Sequence, residues 1–162
     1  MSSKQDGIGS CKECNGITSQ DDTISQGFRI MTSRYKKFVK IGLDLAIAAH
    51  RDKDCYYQLC ALIVKKRRVI SVGYNNPKTH PMALTKMQQL HAEMDAIVGC
   101  TRESLRGAEM IVVRARRDKQ TGKAKPCAAC ETLIRSVGLK RVYYTIDCPN
   151  WENPTFMSMN LR

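Results

Sequence analysis

Two short motifs constrain this chain more than any other feature. His91-Ala92-Glu93 supplies an imidazole and, two residues later, a carboxylate, while Pro126-Cys127-Ala128-Ala129-Cys130 supplies two thiols separated by two residues. One histidine and two cysteines form a ligand set that suits a tetrahedral zinc whose fourth position stays open, which is typical of catalytic rather than structural sites. The fold must therefore bring the two motifs together.

Glu93 is the residue that distinguishes a catalytic zinc site from a structural one. A carboxylate so close to a zinc ligand can handle the proton of a water molecule whose pKa the metal lowers to about 7. In the alternative, a fourth protein ligand closes the site and zinc only stabilises the fold. Glu93 would have no role in such a site, so we favour the catalytic interpretation.

Apolar periodicity predicts the elements that surround the motifs. Two strands joined by the basic turn 65–68 should form a hairpin. A short last strand should pair antiparallel with the strand before it, because the connection is too short for a crossover. The predicted helices are 34–50, 91–100 and a helix whose first turn holds Pro126 and which ends at Gly138; the predicted strands are 59–64, 69–74, 109–114, 141–146 and one within 156–161.

The first 30 residues differ in composition from the rest of the chain. Residues 1–30 are rich in Ser, Gly, Gln and Asp and lack apolar periodicity, so we expect a flexible tail there and one domain over residues 31–162. Cys11 and Cys14 form a second Cys-x-x-Cys pair in this tail. The pair is either half of a second zinc site or, the interpretation we favour, two exposed thiols.

Composition restricts the compartment. The chain has eight cysteines but no N-terminal segment typical of a secretory signal, which favours metal binding and free thiols over disulfides. No apolar run has the length of a membrane span. We therefore expect a cytoplasmic protein with no membrane partner.

The formal net charge of +12 favours an anionic partner, such as a nucleotide phosphate or a nucleic acid. Two basic stretches contribute to it. Residues 65–68 are interpreted as a solvated hairpin tip. Residues 116–125 are predicted to be a loop, and because this loop runs directly into Pro126 its base should lie near the metal.

The order of these elements and motifs resembles the cytidine deaminase superfamily, in which H-x-E and P-C-x-x-C are the signature of zinc-dependent nucleobase deaminases. Gly73-Tyr74-Asn75 also resembles the strand end of deoxycytidylate (dCMP) deaminases, where an Asn contacts the substrate sugar. The resemblance implies an α/β fold, a three-layer α/β/α sandwich around a mixed five-stranded sheet. It also implies one zinc per chain bound by His91, Cys127 and Cys130, a proton shuttle at Glu93, a sugar contact at Asn75, and a homo-oligomer.

Three functions compete on this basis. The leading hypothesis is hydrolytic deamination of a free cytosine nucleotide of the dCMP type, with release of ammonia. The alternative is deamination of cytosine or adenine within single-stranded DNA or RNA, which the charge favours. Against it, the basic stretches are not interleaved with aromatic residues on which bases could stack. A non-catalytic, zinc-stabilised binding protein is the third hypothesis, and the presence of Glu93 argues against it.

Overall fold

Among the described residues, six strands form one mixed sheet. The computed structural model describes residues 33–49, 58–76, 80–81, 90–116, 120–149 and 152–161. The helices are α1 (Ser33–Ala49), α2 (Ala92–Val98), α3 (Arg102–Leu105) and α4 (Ala128–Ser136). The strands are β1 (Gln58–Lys65), β2 (Arg68–Tyr74), β3 (Glu109–Ala115), β4 (Thr121–Gly122), β5 (Arg141–Thr145) and β6 (Phe156–Asn160).

The sheet order is β2-β1-β3-β5-β6, with β4 paired to the end of β3. Only β3 and β5 are parallel, and α4 lies in the connection between them, as a crossover requires. The mixed sheet is confirmed, and β6 pairs antiparallel with β5 as predicted. The predicted number of five strands is wrong, because residues 121–122 of the expected loop form β4 against Arg114 and Ala115.

The two faces of the sheet are covered by different helices, which confirms the three layers. Cys60 and Leu62 of β1 pack in the cluster that includes residues of α1, whereas Ala61 and Ile63 pack in the cluster that includes residues of α2 and α4. Side chains of a strand alternate between faces, so a strand covered on both sides is apolar throughout. This explains why residues 59–64 form an unbroken apolar run.

Helix α2 lies directly against the end of β2. A Cβ atom added at Gly73 would lie 2.1 Å from the amide nitrogen of Ala96 and 2.3 Å from the carbonyl oxygen of Ala92, so only glycine permits this approach. The hydroxyl of Ser71 donates to the carbonyl of Ala96 at 2.7 Å, and the amide of Tyr74 donates to Oδ2 of Asp95 at 2.9 Å. These contacts hold α2 against the second half of β2.

The hairpin between β1 and β2 has a tighter tip than predicted. The strands extend to Lys65 and Arg68, and only Lys66 and Arg67 form the turn, with φ of 49° and 66°. A two-residue hairpin turn of type I′ requires positive φ at both of its central residues. This turn type is favoured because its backbone twist matches the right-handed twist of the two strands. Left-handed backbone costs roughly 1 kcal/mol or more for each non-glycine residue.

Helix boundaries differ by small amounts from those predicted, and α3 was not predicted. Its start is capped by Thr101, whose side chain accepts a hydrogen bond from the amide of Ser104.

Among the described helices, none combines the length and the apolar character that a membrane crossing requires. Cys11 and Cys14 and the predicted tail over residues 1–30 lie outside the described residues, so both stay predictions, as does the homo-oligomer.

Candidate metal centre and active site

The imidazole of His91 and the thiols of Cys127 and Cys130 converge at the N-termini of two helices. Nδ1 of His91 lies 3.7 Å from Sγ of Cys127 and 3.4 Å from Sγ of Cys130. One ligand atom from each of the three residues lies within 4.8 Å of the others. A nitrogen and two sulfurs at these separations fit one shared zinc ion and leave a coordination position open to a non-protein ligand.

Helix capping positions place these donors. His91 is the N-cap of α2 and Cys127 is the N-cap of α4, and Cys130 is the third residue of α4. The predictions that His91 and Pro126 lie within the first helical turn are therefore wrong, because each helix begins one or two residues later. The sulfurs of Cys127 and Cys130 nevertheless both face the same imidazole nitrogen.

A backbone bridge brings His91 back to the sheet. The amide of Asn76 donates to the carbonyl of Leu90 at 2.9 Å, and the amide of Leu90 donates back to Asn76 at the same distance. This antiparallel pair closes the connection between β2 and α2. Asn75 and His91, which are far apart in sequence, therefore lie on either side of one pair of backbone hydrogen bonds.

The thiol of Cys130 is fully buried. Burial, followed by the nearby negative charges of Glu93 and Cys127, raises the pKa of Cys130 far above that of an ordinary thiol. A thiolate at this depth requires a positive charge beside it, and a bound divalent cation supplies that charge. The donor set therefore fits a metal that displaces thiol protons when it binds.

Glu93 is the second residue of α2 and is only 6% exposed. Burial raises the pKa of its carboxyl group, and this effect is opposed by its own backbone amide, by His91 and by Cys130. Its side chain lines the same cavity as His91 and Cys127. A carboxyl group with a raised pKa beside the donor cluster can accept a proton and later release it, as a general acid and base must.

The cavity that contains these groups has a volume of about 370 Å³, within the range of small-molecule sites. His91, Glu93 and Cys127 line it. Leu59 and Asn75 also line it, and the Oδ1 atom of Asn75 accepts a hydrogen bond from the amide of Leu59 at 3.1 Å. This bond orients the Asn75 side chain at the cavity wall.

Three cations, Arg114, Lys123 and Lys125, also line the cavity, together with Ala92 and Ala124. The expectation that the base of the 116–125 loop lies near the predicted metal site is confirmed, because Lys123 and Lys125 line the same cavity as two of the predicted ligands. Arg114 was missed, although its position at the carboxyl end of one of two parallel strands is where α/β sheets commonly bind ligands.

Thr145, which is fully buried, holds this cationic side of the cavity together. Its hydroxyl accepts a hydrogen bond from the amide of Arg114 at 3.1 Å and donates one to the carbonyl of Gly122 at 2.7 Å. Its own carbonyl accepts from the amide of Ala124 at 2.9 Å. Strand β4 is thereby held between the ends of β3 and β5, and Lys123 directly follows Gly122, the residue that pairs with Arg114.

Comparison with known proteins identifies the family. Residues 32–146 match the model of the cytidine and deoxycytidylate deaminase zinc-binding region. This chain belongs to that family. The match covers most of the chain and includes both motifs, so the resemblance seen in the sequence is confirmed.

Relatives of known name agree with this assignment. The deoxycytidylate deaminase of Mycobacterium phage D29 is 33% identical over a 124-residue alignment that covers 63% of this chain and 89% of the relative. The apo crystal structure of the dCMP deaminase of cyanophage S-TIM5 is similar with a TM-score of 0.51 and 25% identity, over 72% of this chain and 86% of that one. The structure of the S-TIM5 enzyme with dCMP and dUMP, at 23% identity and a TM-score of 0.50, shows the same fold.

Proposed function

We propose that this protein is a zinc-dependent hydrolytic deaminase that converts a free cytosine nucleotide of the dCMP type to the uracil nucleotide and ammonia. The observation that supports the proposal is one cavity lined by two chemically different groups of side chains. His91, Cys127 and the buried carboxyl group of Glu93 line it, with Cys130 clustered beside the first two, and three cations line it as well. The first group suits attack on the base, and the cations suit a phosphate dianion.

The chemistry assigns a task to each group. His91, Cys127 and Cys130 would hold one zinc, which when bound supplies a water activated for attack at neutral pH. A carboxylate oxygen of Glu93 accepts the proton of the attacking water and passes it to N3 of the pyrimidine ring. Glu93 then takes the remaining proton from the hydroxyl group at C4 and delivers it to the amine as the bond between C4 and nitrogen breaks. The oxygen of the water stays at C4, one of its protons stays at N3, and the other leaves with ammonia.

The family membership and the names of the relatives support this substrate class. The phage relatives are called deoxycytidylate or dCMP deaminases, and the complex of the S-TIM5 enzyme contains dCMP and dUMP. The alternative is a polynucleotide substrate, which the net positive charge of the chain also favours. The cavity has three cations, enough for one phosphate group, whereas a strand in the site would require cations for several successive phosphates.

The decisive experiment measures ammonia release from dCMP, deoxycytidine and a single-stranded oligonucleotide. We expect turnover of dCMP with a shallow dependence on salt. Lys123→Gln should raise KM for dCMP on the order of tenfold, since it removes a charged hydrogen-bond donor to phosphate, and should leave deoxycytidine turnover unchanged. Lys140→Gln is the matched control, because Lys140 pairs with Glu109, which begins β3 at the other end of that strand. Conversion only within an oligonucleotide, with a steep salt dependence, would refute the proposal.

For Asn75 we propose a hydrogen bond to the substrate sugar, with its amide oxygen committed to Leu59. Asn75→Asp separates these two roles, because aspartate keeps the acceptor for Leu59 but loses the NH₂ donor. We expect kcat/KM for dCMP to fall by about tenfold, the value of one hydrogen bond, without a change in the unfolding midpoint. If Asn75→Asp were as active as the wild type while Asn75→Ala lost stability, Asn75 would have a structural role alone.

A further inference from the structure

A second cavity lies between α1 and the tip of the β1–β2 hairpin. Its volume is about 290 Å³, and Arg34, Lys37, Phe38 and Arg67 line it. Among the described residues, this lining consists of three cations and one aromatic ring, with no carboxylate. Cations gathered in a concave site repel one another, and an anion between them relieves that repulsion.

Phe38 connects this cavity to the hydrophobic core. The ring of Phe38 is only 4% exposed and packs in the core between α1 and the sheet. Nζ of Lys37 lies 4.9 Å from the centre of that ring, a cation–π contact that restrains the ammonium group. Arg34 is the second residue of the 17-residue α1, so the positive end of the helix dipole lies at the same place.

The backbone of the hairpin tip provides a second, independent observation. Lys66 and Arg67 both have positive φ, a conformation that Asn-Gly adopts with less strain. The turn is therefore strained, and it carries two positive charges where an Asn-Gly pair would carry none. The turn requires this backbone, but it does not require charged side chains, and strained positions occupied by such side chains cluster at functional sites. Here the strained residue Arg67 is one of the three cations that line the cavity.

The second cavity is separate from the deaminase cavity. Leu59 lines the deaminase cavity near the start of β1, and Arg67 follows the end of the same strand. The strand between them rises by about 20 Å. A ligand of the deaminase site therefore does not account for this cluster.

We propose that Arg34, Lys37 and Arg67 bind the phosphate backbone of a nucleic acid, as a docking site distinct from the deaminase cavity. The exposed side chains of Lys66 and Arg68 continue the positive surface on either side of Arg67. A row of cations that extends beyond one small cavity suits a chain of phosphates better than a single anion. The net charge of +12, far more than one mononucleotide requires, agrees with this.

The turn itself provides a test that does not depend on damage to the fold. Lys66→Asn combined with Arg67→Gly creates the preferred turn sequence, so the thermal unfolding midpoint should rise while two cations are lost. Anisotropy with labelled oligo-dT and oligo-U of about 20 nucleotides measures binding across a salt series. We expect the wild type to bind either probe, and the slope of log affinity against log salt to flatten by about one unit in the double variant. Turnover of dCMP should not change.

Two controls make the result specific. Arg102→Gln combined with Arg106→Gln removes the same charge from α3 and the residue after it, and should leave the slope unchanged. Lys123→Gln should also leave it unchanged, because Lys123 lies at the deaminase cavity. The proposal is wrong if neither oligonucleotide binds, if only inorganic tripolyphosphate binds, if the double variant keeps the wild-type slope, or if either control flattens it equally.

Discussion

Glu93→Ala is expected to lower the rate of dCMP deamination by roughly 10²- to 10⁴-fold, the usual contribution of a positioned general acid and base. The reason is that Glu93 is the buried carboxyl group that lines the cavity beside His91 and Cys127. It is not one of the three clustered donors, so the zinc content and the unfolding midpoint should be retained. Single-turnover kinetics with dCMP, together with metal analysis of the same sample, measures both.

Glu93→Gln and Glu131→Gln sharpen this experiment. Glu93→Gln keeps the shape and burial of the side chain but removes the group that accepts the proton, so it should be nearly as inactive as Glu93→Ala. Glu131→Gln removes a carboxylate that pairs with Arg135 on α4 at 2.7 Å and should retain wild-type activity. If the Glu93→Gln protein turned over dCMP at a rate close to that of the wild type, another group would carry the proton.

Cys127→Ser is expected to abolish stoichiometric zinc binding. Changes to groups that only support a metal ligand already cost 10- to 100-fold in affinity, so loss of a ligand should cost more than about 100-fold. Cys127 is preferable to Cys130 for this test, because Cys127 is exposed whereas Cys130 is fully buried and its replacement would also disturb packing. Metal analysis of the purified protein should give about one zinc per wild-type chain and close to none in the variant.

Loss of zinc should also lower the free energy of unfolding. A ligand at 100 times its Kd stabilises the folded state by about 2.7 kcal/mol, so a chelator should lower the free energy of unfolding of the wild type and leave Cys127→Ser unchanged. Cys100→Ser is the matched control, because this partly buried free cysteine lies outside the donor cluster. A full zinc complement in Cys127→Ser would contradict the ligand assignment, and two zinc ions per wild-type chain would support a second site at Cys11 and Cys14.

The sequence alone determined the features that depend on short-range chemistry. Ligand type and spacing identified His91, Cys127 and Cys130, and the structure brings their side chains together. Periodicity placed α1, the hairpin and the strands β3 and β5, because a buried face imposes its repeat on the residues that form it. The antiparallel pairing of β6 followed from the length of a connection, which is also local information.

Only the tertiary structure decided which distant residues share a cavity. In the sequence, Arg114 is only the end of a predicted strand; in the structure it lines the same cavity as Lys123, and Thr145 accepts a hydrogen bond from its amide. In the sequence, Arg34 and Arg67 are two unrelated charged residues; in the structure α1 packs across the sheet, and the two residues line one cavity. Side-chain type and spacing specify local structure and the choice of metal ligands. The neighbours of a long charged side chain cannot be predicted in this way, because charged residues on the surface show no regular periodicity. These neighbours are set by how helices and strands pack, and therefore by contacts between residues that are far apart in the sequence.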